Sequence, residues 1–439
     1  MVAIETLYQI YKQYPVVCSD TRKITPGCLF FALKGPNYDA NLFAKDAIKQ
    51  GAAYAIVDNK EVATTDQYIL VEDVLTTLQQ LASYHRKQLK TTVLAIVGSN
   101  GKTTTKELIA AVLSTSKNIL ATPGNLNNHI GLPLTLLMLT EQHEIAVIEM
   151  GANHIGENAL LCDIAAPDCG LITNNGMDHL EGFGSIEGVA KSNSELYYYL
   201  LKHGGIAFVN EQDETLMRMA GRLSNKVTYA GISSSETSQA DICGIAISLR
   251  PTINFSIIGF ENNAIKSHLS GQYNFDNIMA AVCVGLYFKL TIEDIAAGIS
   301  TYVPSNNRSQ IIKLDGKTIF LDAYNANPSS MKAALENFAH MQAKNKLAIL
   351  GDMYELGSYT ESEHESMVAF ALSLPLQQIW LVGKHFNAIN YADERIKRFL
   401  DKEQLREFIE QSKPNFDFIF MKGSRGVGLE KLVDTLKSY

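Results

Sequence analysis

Residues 93–113, VLAIVGSNGKTTTKELIAAVL, run from an apolar stretch through Gly-Lys-Thr into a segment with helical spacing. In Gly98-Ser99-Asn100-Gly101-Lys102-Thr103-Thr104 the glycines let the backbone curl so that its N–H groups face a phosphate. A helix starting near Lys102 adds its positive end. Lys102 is placed for the β- and γ-phosphates, and the Thr103 hydroxyl for Mg²⁺. The loop is shorter than G-x-x-x-x-G-K-[ST], because Ile96 stands where the first glycine would be. The competing reading is a glycine turn capping a surface helix. A motor, a switch GTPase, a kinase and a ligase all remain open at this point.

Other polar residues could converge on that loop. Glu149 ends the apolar run IAVIEMGANH. A carboxylate at the carboxyl end of a neighbouring parallel strand can hold Mg²⁺, or it can be a rim carboxylate. His179 lies in the Gly-rich NGMDHLEGFGS, as a ligand or as a structural histidine. Asn274 and Asn277 sit one helical turn apart in GQYNFDNIMAAVCVGL. Paired amides on one helix face can read a purine edge, though Asn274 could equally cap the helix. Arg308 stands in a polar stretch. FLDAYNANPSSM ends a strand at Asp322 and continues through Tyr324, Asn325 and Asn327. Asp322 can bind ribose hydroxyls, while the Asn-Pro segment could be only a turn.

These residues need a scaffold of strand ends. TVLAIVG (92–98), EIAVIEMG (144–151), CGLITN (169–174), GIAFVN (205–210), KLAILGD (346–352), IWLVG (379–383) and DFIFMKGS (417–424) read as buried strands. Helical patterns lie between several of them. The expected class is α/β with mainly parallel sheets. Three units are expected: 1–90, with strands GCLFFALKG and AAYAIVD and a closing helix VLTTLQQLASYHRKQL; 91–305, with the phosphate loop; and 306–439. Pro304 and Ser305–Ser309 make the second linker. No repeat or low-complexity tract is visible.

A length of 439 residues suits that count, and a net charge of −8 argues against a nonspecific grip on nucleic acid or anionic membrane. The six cysteines form no C-x-x-C pair, which predicts reduced, buried thiols rather than a zinc site. The first residues carry an early Glu5 and no continuous apolar core, unlike a signal peptide. No apolar run approaches the roughly 18 residues of a membrane span. A cytoplasmic, monomeric protein without membrane insertion is expected.

The motifs occur together, and in order, in one family. The chain resembles the Mur ligases, ATP-dependent amide-forming enzymes of peptidoglycan precursor synthesis, over nearly its whole length. The resemblance is carried by SDTRKITPGCLFFALKG, GSNGKTTTKE, GNLNNHIGLPLTLL, IEMGANHIGE, DHLEGFGSIEGVAK, YNFDNIMAA, DAYNANPSSM, GDMYELG and KGSR. The first, third and seventh segments point to the branch that joins D-alanyl-D-alanine to UDP-N-acetylmuramoyl-tripeptide. The family implies a small α/β UDP-binding domain, a central ATPase and a C-terminal Rossmann-like domain. It implies that Ser19, Thr21, Arg22 and Lys34 to Asn41 hold the UDP end of the substrate. Gly98–Thr104 would hold ATP phosphates, and Thr103, Glu149 and His179 would hold Mg²⁺. Asn274 and Asn277 would meet adenine, with Arg308 and Asp322 at phosphate and ribose. Asn125, Asn127 and Asn128 would line the peptide cleft. Tyr324, Asn325 and Asn327 would lie where the last domain meets the dipeptide. Lys102, Glu149, His179, Arg308 and Asp322 are thus the implied catalytic set.

The chemistry so implied runs through an acyl phosphate. A carboxylate resists amine attack because oxide is a hopeless leaving group. The tripeptide carboxylate would attack the γ-phosphate of ATP, and the dipeptide amine would then displace phosphate. Closure hinged near 90 and near 305 would exclude water. Folylpolyglutamate synthase shares the short loop, but SDTRKITPG and YNANPSSM weigh against it. A degenerate nucleotide-binding relative is the other alternative. One departure bears on that. Relatives carry A-K-x-K-x-E, and their second lysine reacts with CO₂ to form a carbamate near Mg²⁺. Here AKSNSE places Asn193 at that position. The expectation is a folded but weakened ligase, with Lys191 unable to substitute because residues two apart on a helix face apart.

Overall fold

The protein is described here from a computed structural model covering residues 2–314 and 316–437. Near the N-terminus β1 (Val17–Cys18) and β2 (Leu29–Phe31) precede a hairpin, β3 (Lys34–Gly35) and β4 (Tyr38–Asp39), then β5 (Tyr54–Val57) and β6 (Tyr68–Leu70). Strands β1, β2, β5 and β6 pair in that order, all parallel. The helix Val74–Gln88 follows, capped by the Asp73 carboxylate.

The largest sheet is built from β7 (Thr92–Val97), β8 (Ile119–Ala121), β9 (Ile145–Glu149), β10 (Cys169–Ile172), β11 (Ile206–Asn210), β12 (Lys226–Ser233), β13 (Ile242–Ser248), β14 (Asn254–Ile257) and β15 (Ile265–Lys266). Its order is β15-β14-β13-β12-β11-β10-β7-β9-β8. Only β14 and β15 run antiparallel to their neighbours. Val93 to Val97 are fully buried, as a central parallel strand with both faces covered must be. Strand β7 lies between β9 and β10, so the connections leave its carboxyl end in opposite directions. That opens a crevice at the phosphate loop.

The third sheet contains β16 (Gln310–Leu314), β17 (Lys317–Asp322), β18 (Lys346–Gly351), β19 (Gln378–Val382), β20 (Ile396–Phe399) and β21 (Phe418–Lys422), ordered β16-β17-β21-β18-β19-β20. Strands β16 and β17 form an antiparallel pair and the rest are parallel. The carboxyl ends of β17, β18 and β21 release Asp322, Asp352 and Ser424 on one edge.

The cores do not divide as the sheets do. Leu7, Leu78, Leu81 and Ala82 from the first unit share one apolar cluster with Val93, Leu132, Leu136 and Leu161 of the second. The opposite face of the central sheet packs on the helix Gln272–Tyr287. Among the described residues no helix is long and apolar enough to cross a membrane. All six cysteines are free and buried.

Candidate functional site

The phosphate loop depends on two glycines held at positive φ. Gly98 (φ +129°) lies so close to the end of β10 that a Cβ there would stand 2.2 Å from Thr173 Oγ1. Gly101 (φ +81°) is pressed on the far helix, where a Cβ would stand 2.6 Å from Asn277 Oδ1. The helix Lys102–Leu113 begins there with no side-chain cap, so its first N–H groups are available to an anion. Lys102 Nζ donates to the carbonyls of Gly98 and Ser99, which hold the ammonium over the loop. Ser99 Oγ donates to Asp178 Oδ1 (2.5 Å) and accepts from Gly176 N (2.8 Å). Asn100 exchanges hydrogen bonds with Asn174.

At the second residue of the helix, Thr103 Oγ1 donates to Glu149 Oε1 at 3.2 Å, and Asn127 Nδ2 donates to the same oxygen at 2.8 Å. Glu149 is only 2% exposed, yet its Oε2 has no hydrogen-bond partner. A buried carboxylate oxygen left bare is costly, and a hard cation would satisfy it. The Thr103–Glu149 pair therefore fits Mg²⁺. No three His, Cys, Asp or Glu side chains gather into a cage among the described residues.

His179 reaches across to the third unit. It sits in the left-handed region (φ +47°), and its Nδ1 meets the Glu355 carboxylate of the third unit. The hydrogen bond from His179 holds the Glu355 carboxyl below the usual carboxylate range, against burial. The structure thus brings Thr103 and Glu149 together and brings His179 to Glu355.

Beside the loop lies a cleft of about 360 Å³, lined by Thr105, Asn174, Asp213, Tyr273, Asp276 and Asn277 among others. That volume is at the low end of small-molecule sites. Asn277 Oδ1 accepts from Thr105 Oγ1 at 3.0 Å, and its amide donates to Asn274 Oδ1 at 3.3 Å. Asn274 is not the helix cap; Gly271 is, and Asn274 donates instead to Ser270 O at 2.9 Å. Burial pushes the Asp276 carboxyl up to about 6, with Asp213 adding to the rise. Asn274 also lines a narrow gap facing Asp322 and Ser309. Asp322 is bound by Lys422 at 2.6 Å and accepts from Ser309 N at 3.2 Å. Arg308 lays its guanidinium 3.7 Å from the centre of the Tyr324 ring.

The remaining candidates fall into two groups. Ser19, Thr21, Arg22 and Lys34 follow the carboxyl ends of β1 and β2, where parallel sheets take ligands. Arg22 is exposed and paired with Asp20, and Lys34 is 2.7 Å from Asp58. Asn41 is buried and bonded to Asp39 and Asp58, which makes it a brace for that loop. Asn125 is exposed, Asn127 reaches Glu149, and Asn128 accepts from the N–H groups of Ile130 and Gly131. Asn325 is exposed, whereas Asn327 caps the helix Pro328–Ala339 and donates to Asn100 Oδ1 at 2.8 Å.

Asn193 lies on the helix Ile186–His203, buried, with its amide donating to Asn175 Oδ1 at 2.9 Å. Lys191 is exposed on the same helix. Sequence reasoning assigned nothing to Asp178, Glu355 or Lys422. Glu355 and Lys422 lie in GDMYELG and KGSR, segments with clear signals but partners far away in the chain.

The comparisons with known proteins agree with this geometry. Residues 96–285 match the Mur ligase middle domain, and 307–425 match the Mur ligase, glutamate ligase domain. The UDP-N-acetylmuramoyl-tripeptide–D-alanyl-D-alanine ligase of Bacillus subtilis is 36% identical over 96% of this chain and 92% of its own. The crystal structure of MurF from Acinetobacter baumannii superposes with a TM-score of 0.85 at 31% identity, covering 96% of this chain and 93% of that one. MurF ligase from Thermotoga maritima, solved in complex with ADP, gives 0.84 at 27% identity, covering 96% and 97%. A folylpolyglutamate synthase of Mycobacterium tuberculosis shares the fold alone, with 0.60 at 13% identity over 82% of this chain and 94% of that one.

Proposed function

This chain belongs to the Mur ligase family, and we propose that within it the protein joins D-alanyl-D-alanine to UDP-N-acetylmuramoyl-tripeptide, with cleavage of ATP to ADP and phosphate. That reaction serves peptidoglycan precursor synthesis, and through it cell shape and division. The observation that carries the reading is the uncapped phosphate-loop helix whose Thr103 meets Glu149 with one bare, buried oxygen. We assign 1–90 to the UDP end of the substrate, 91–305 to ATP, and 306–439 to the dipeptide side. A cytoplasmic monomer is the expected working form.

Two anions must meet in the first step, so the residues around the γ-phosphate have to neutralise charge. Thr103 and Glu149 would hold Mg²⁺, with His179 as a further ligand; the ion supplies charge neutralisation at the phosphoryl oxygens. Lys102 leaves its loop carbonyls for the β- and γ-phosphates, and the first N–H groups of its helix bind the same oxygens. Arg308, stacked on Tyr324 at the edge of the third unit, would add positive charge for the phosphates. The tripeptide carboxylate takes the γ-phosphoryl group and ADP leaves. The dipeptide amine then attacks the acyl carbon, loses a proton, and phosphate departs from the tetrahedral intermediate. Asn277 and its cleft receive the adenine, and Asp322, held by Lys422, faces the ribose.

Phosphate release tests the reading directly. It is expected to require both UDP-N-acetylmuramoyl-tripeptide and D-alanyl-D-alanine, run with tripeptides ending in diaminopimelate or in lysine. Folded Lys102→Ala should lose about 10²-fold or more in kcat. Phosphate release that ignores either peptide, or near-normal turnover of the Lys102 variant, would overturn it.

A further inference from the structure

His179 and Glu355 meet across two units, and each stands at positive φ, +47° and +64°. Non-glycine residues in that region cost energy and persist where the surroundings over-determine them. The surroundings here are specific. Met177 N donates to Ser329 Oγ at 3.0 Å, and Glu181 N donates to the Glu355 carbonyl at 3.1 Å. Leu180 and Phe183 are buried in one apolar cluster with Met353 and Leu356. The Glu355 loop is itself pinned: Met353 N donates to His364 Nε2 and Tyr354 N to Ser424 Oγ, both at 3.0 Å. Asp352, just before, accepts from the N–H groups of His385 and Phe386. The carboxylate is therefore presented from a rigid shelf.

The contact uses Nδ1 of His179 and leaves Nε2 without a partner among the described residues. A histidine whose Nδ1–H is donated to a carboxylate has its tautomer fixed and keeps Nε2 as a lone pair. Metal-binding histidines are oriented in this way, and loss of the outer carboxylate typically weakens the metal about 10–100-fold. We propose that Glu355 is a positioning residue for His179. The third unit supplies the carboxylate that orients this imidazole toward the cation held by Thr103 and Glu149, so metal affinity rises when that unit is docked. Docking of the third unit and metal affinity are thereby coupled. Ser99, bonded to Asp178 beside His179, ties the phosphate loop to the same seam. The inference rests on the reading of His179 as a metal ligand.

The test is Mn²⁺ binding to the full chain in the presence of ADP, followed by electron paramagnetic resonance. Glu355→Ala is expected to raise the Mn²⁺ dissociation constant about 10–100-fold. Glu355→Gln keeps an acceptor oxygen and should fall between. ADP affinity in EDTA should stay within about twofold for both variants. ¹⁵N NMR should show the Nε2-bare tautomer of His179 in the unmodified protein and a tautomer mixture in Glu355→Ala. Unchanged Mn²⁺ affinity in Glu355→Ala beside a loss in His179→Ala would overturn the proposal and leave the ligand reading standing. Unchanged affinity in His179→Ala as well would bring down both. A parallel fall in metal-free ADP affinity would make the pair a docking contact only, and would also overturn it.

Discussion

At residue 193 the side chain has to be judged by what it touches. The Asn193 amide donates to Asn175, in the loop that follows β10 and leads to Asp178 and His179. It is a neutral group 2.9 Å from another neutral group, so it brings no negative charge to that side of the site. Lys191 points to solvent and cannot replace a carbamate there. Glu195, the next acidic residue on the helix, accepts from the N–H groups of Gly156 and Ala159 and is committed to them. We therefore expect Asn193→Lys, assayed with bicarbonate, to raise turnover by about tenfold, the scale on which outer groups tune a metal. Acetate should partly rescue the unmodified protein by standing in for the missing anion. If the unmodified protein already turns over as fast as the lysine variant, with neither bicarbonate nor acetate added, Asn193 is no handicap.

Helix placement decides how the loop and the nucleoside cleft communicate. The helices Lys102–Leu113 and Gln272–Tyr287 pack so closely at their start that Gly101 lies against the Asn277 amide. Ala at 101 would need a left-handed backbone, which costs roughly 1–2 kcal/mol, and would push on Asn277 as well. Gly101→Ala should raise the KM for ATP roughly tenfold by that strain, with the far-ultraviolet circular dichroism unchanged. An unaltered KM would separate Asn277 from nucleotide binding.

The phosphate loop was legible in the sequence because its partners are local: glycine, lysine and threonine within one turn. The buried parallel strands were legible because their runs are continuously apolar. Strands β13–β15 were not, since they mix buried and open positions; Ile247 is 63% exposed. Asn274 looked equally like a cap because its role depends on Ser270 and Ser309 across a gap. The pairs Asp322–Lys422 and His179–Glu355 join residues from distant strand ends. No periodicity encodes such pairs; strand order in the third sheet brings about the first, and docking of the third unit on the second brings about the other.

At the scale of the whole molecule, the shared core changes the expected motion. Two hinges, near 90 and near 305, followed from a site divided among three units. Yet the helix Val74–Gln88 is buried against both the first sheet and the helices of the second unit, in one apolar cluster. Arg86, itself buried, donates to the carbonyls of Ala165 and Ala166 and pairs with Asp168. Bending near 90 would break that core, whereas the 305 connection is a short strap. There Asn306, Asn307 and Ser309 all hold positive φ, so relaxing them favours opening. The third unit is docked here through Asn327 on Asn100, Ser329 on Met177 and Glu355 on His179. Those contacts are polar and surround an apolar seam, the kind of interface that opens and closes. We predict that the first two units move as one body and the third swings about 302–309. Because the native cysteines are buried, dyes can be placed by Glu61→Cys, Lys202→Cys and Glu410→Cys. The 61–202 distance should not change when a non-hydrolysable ATP analogue and the UDP-tripeptide are added. The 202–410 distance should shorten, and the radius of gyration from small-angle scattering should fall with it. A change confined to the 61–202 pair would put the hinge at 90 after all, and no change in either would leave the enzyme closed throughout its cycle.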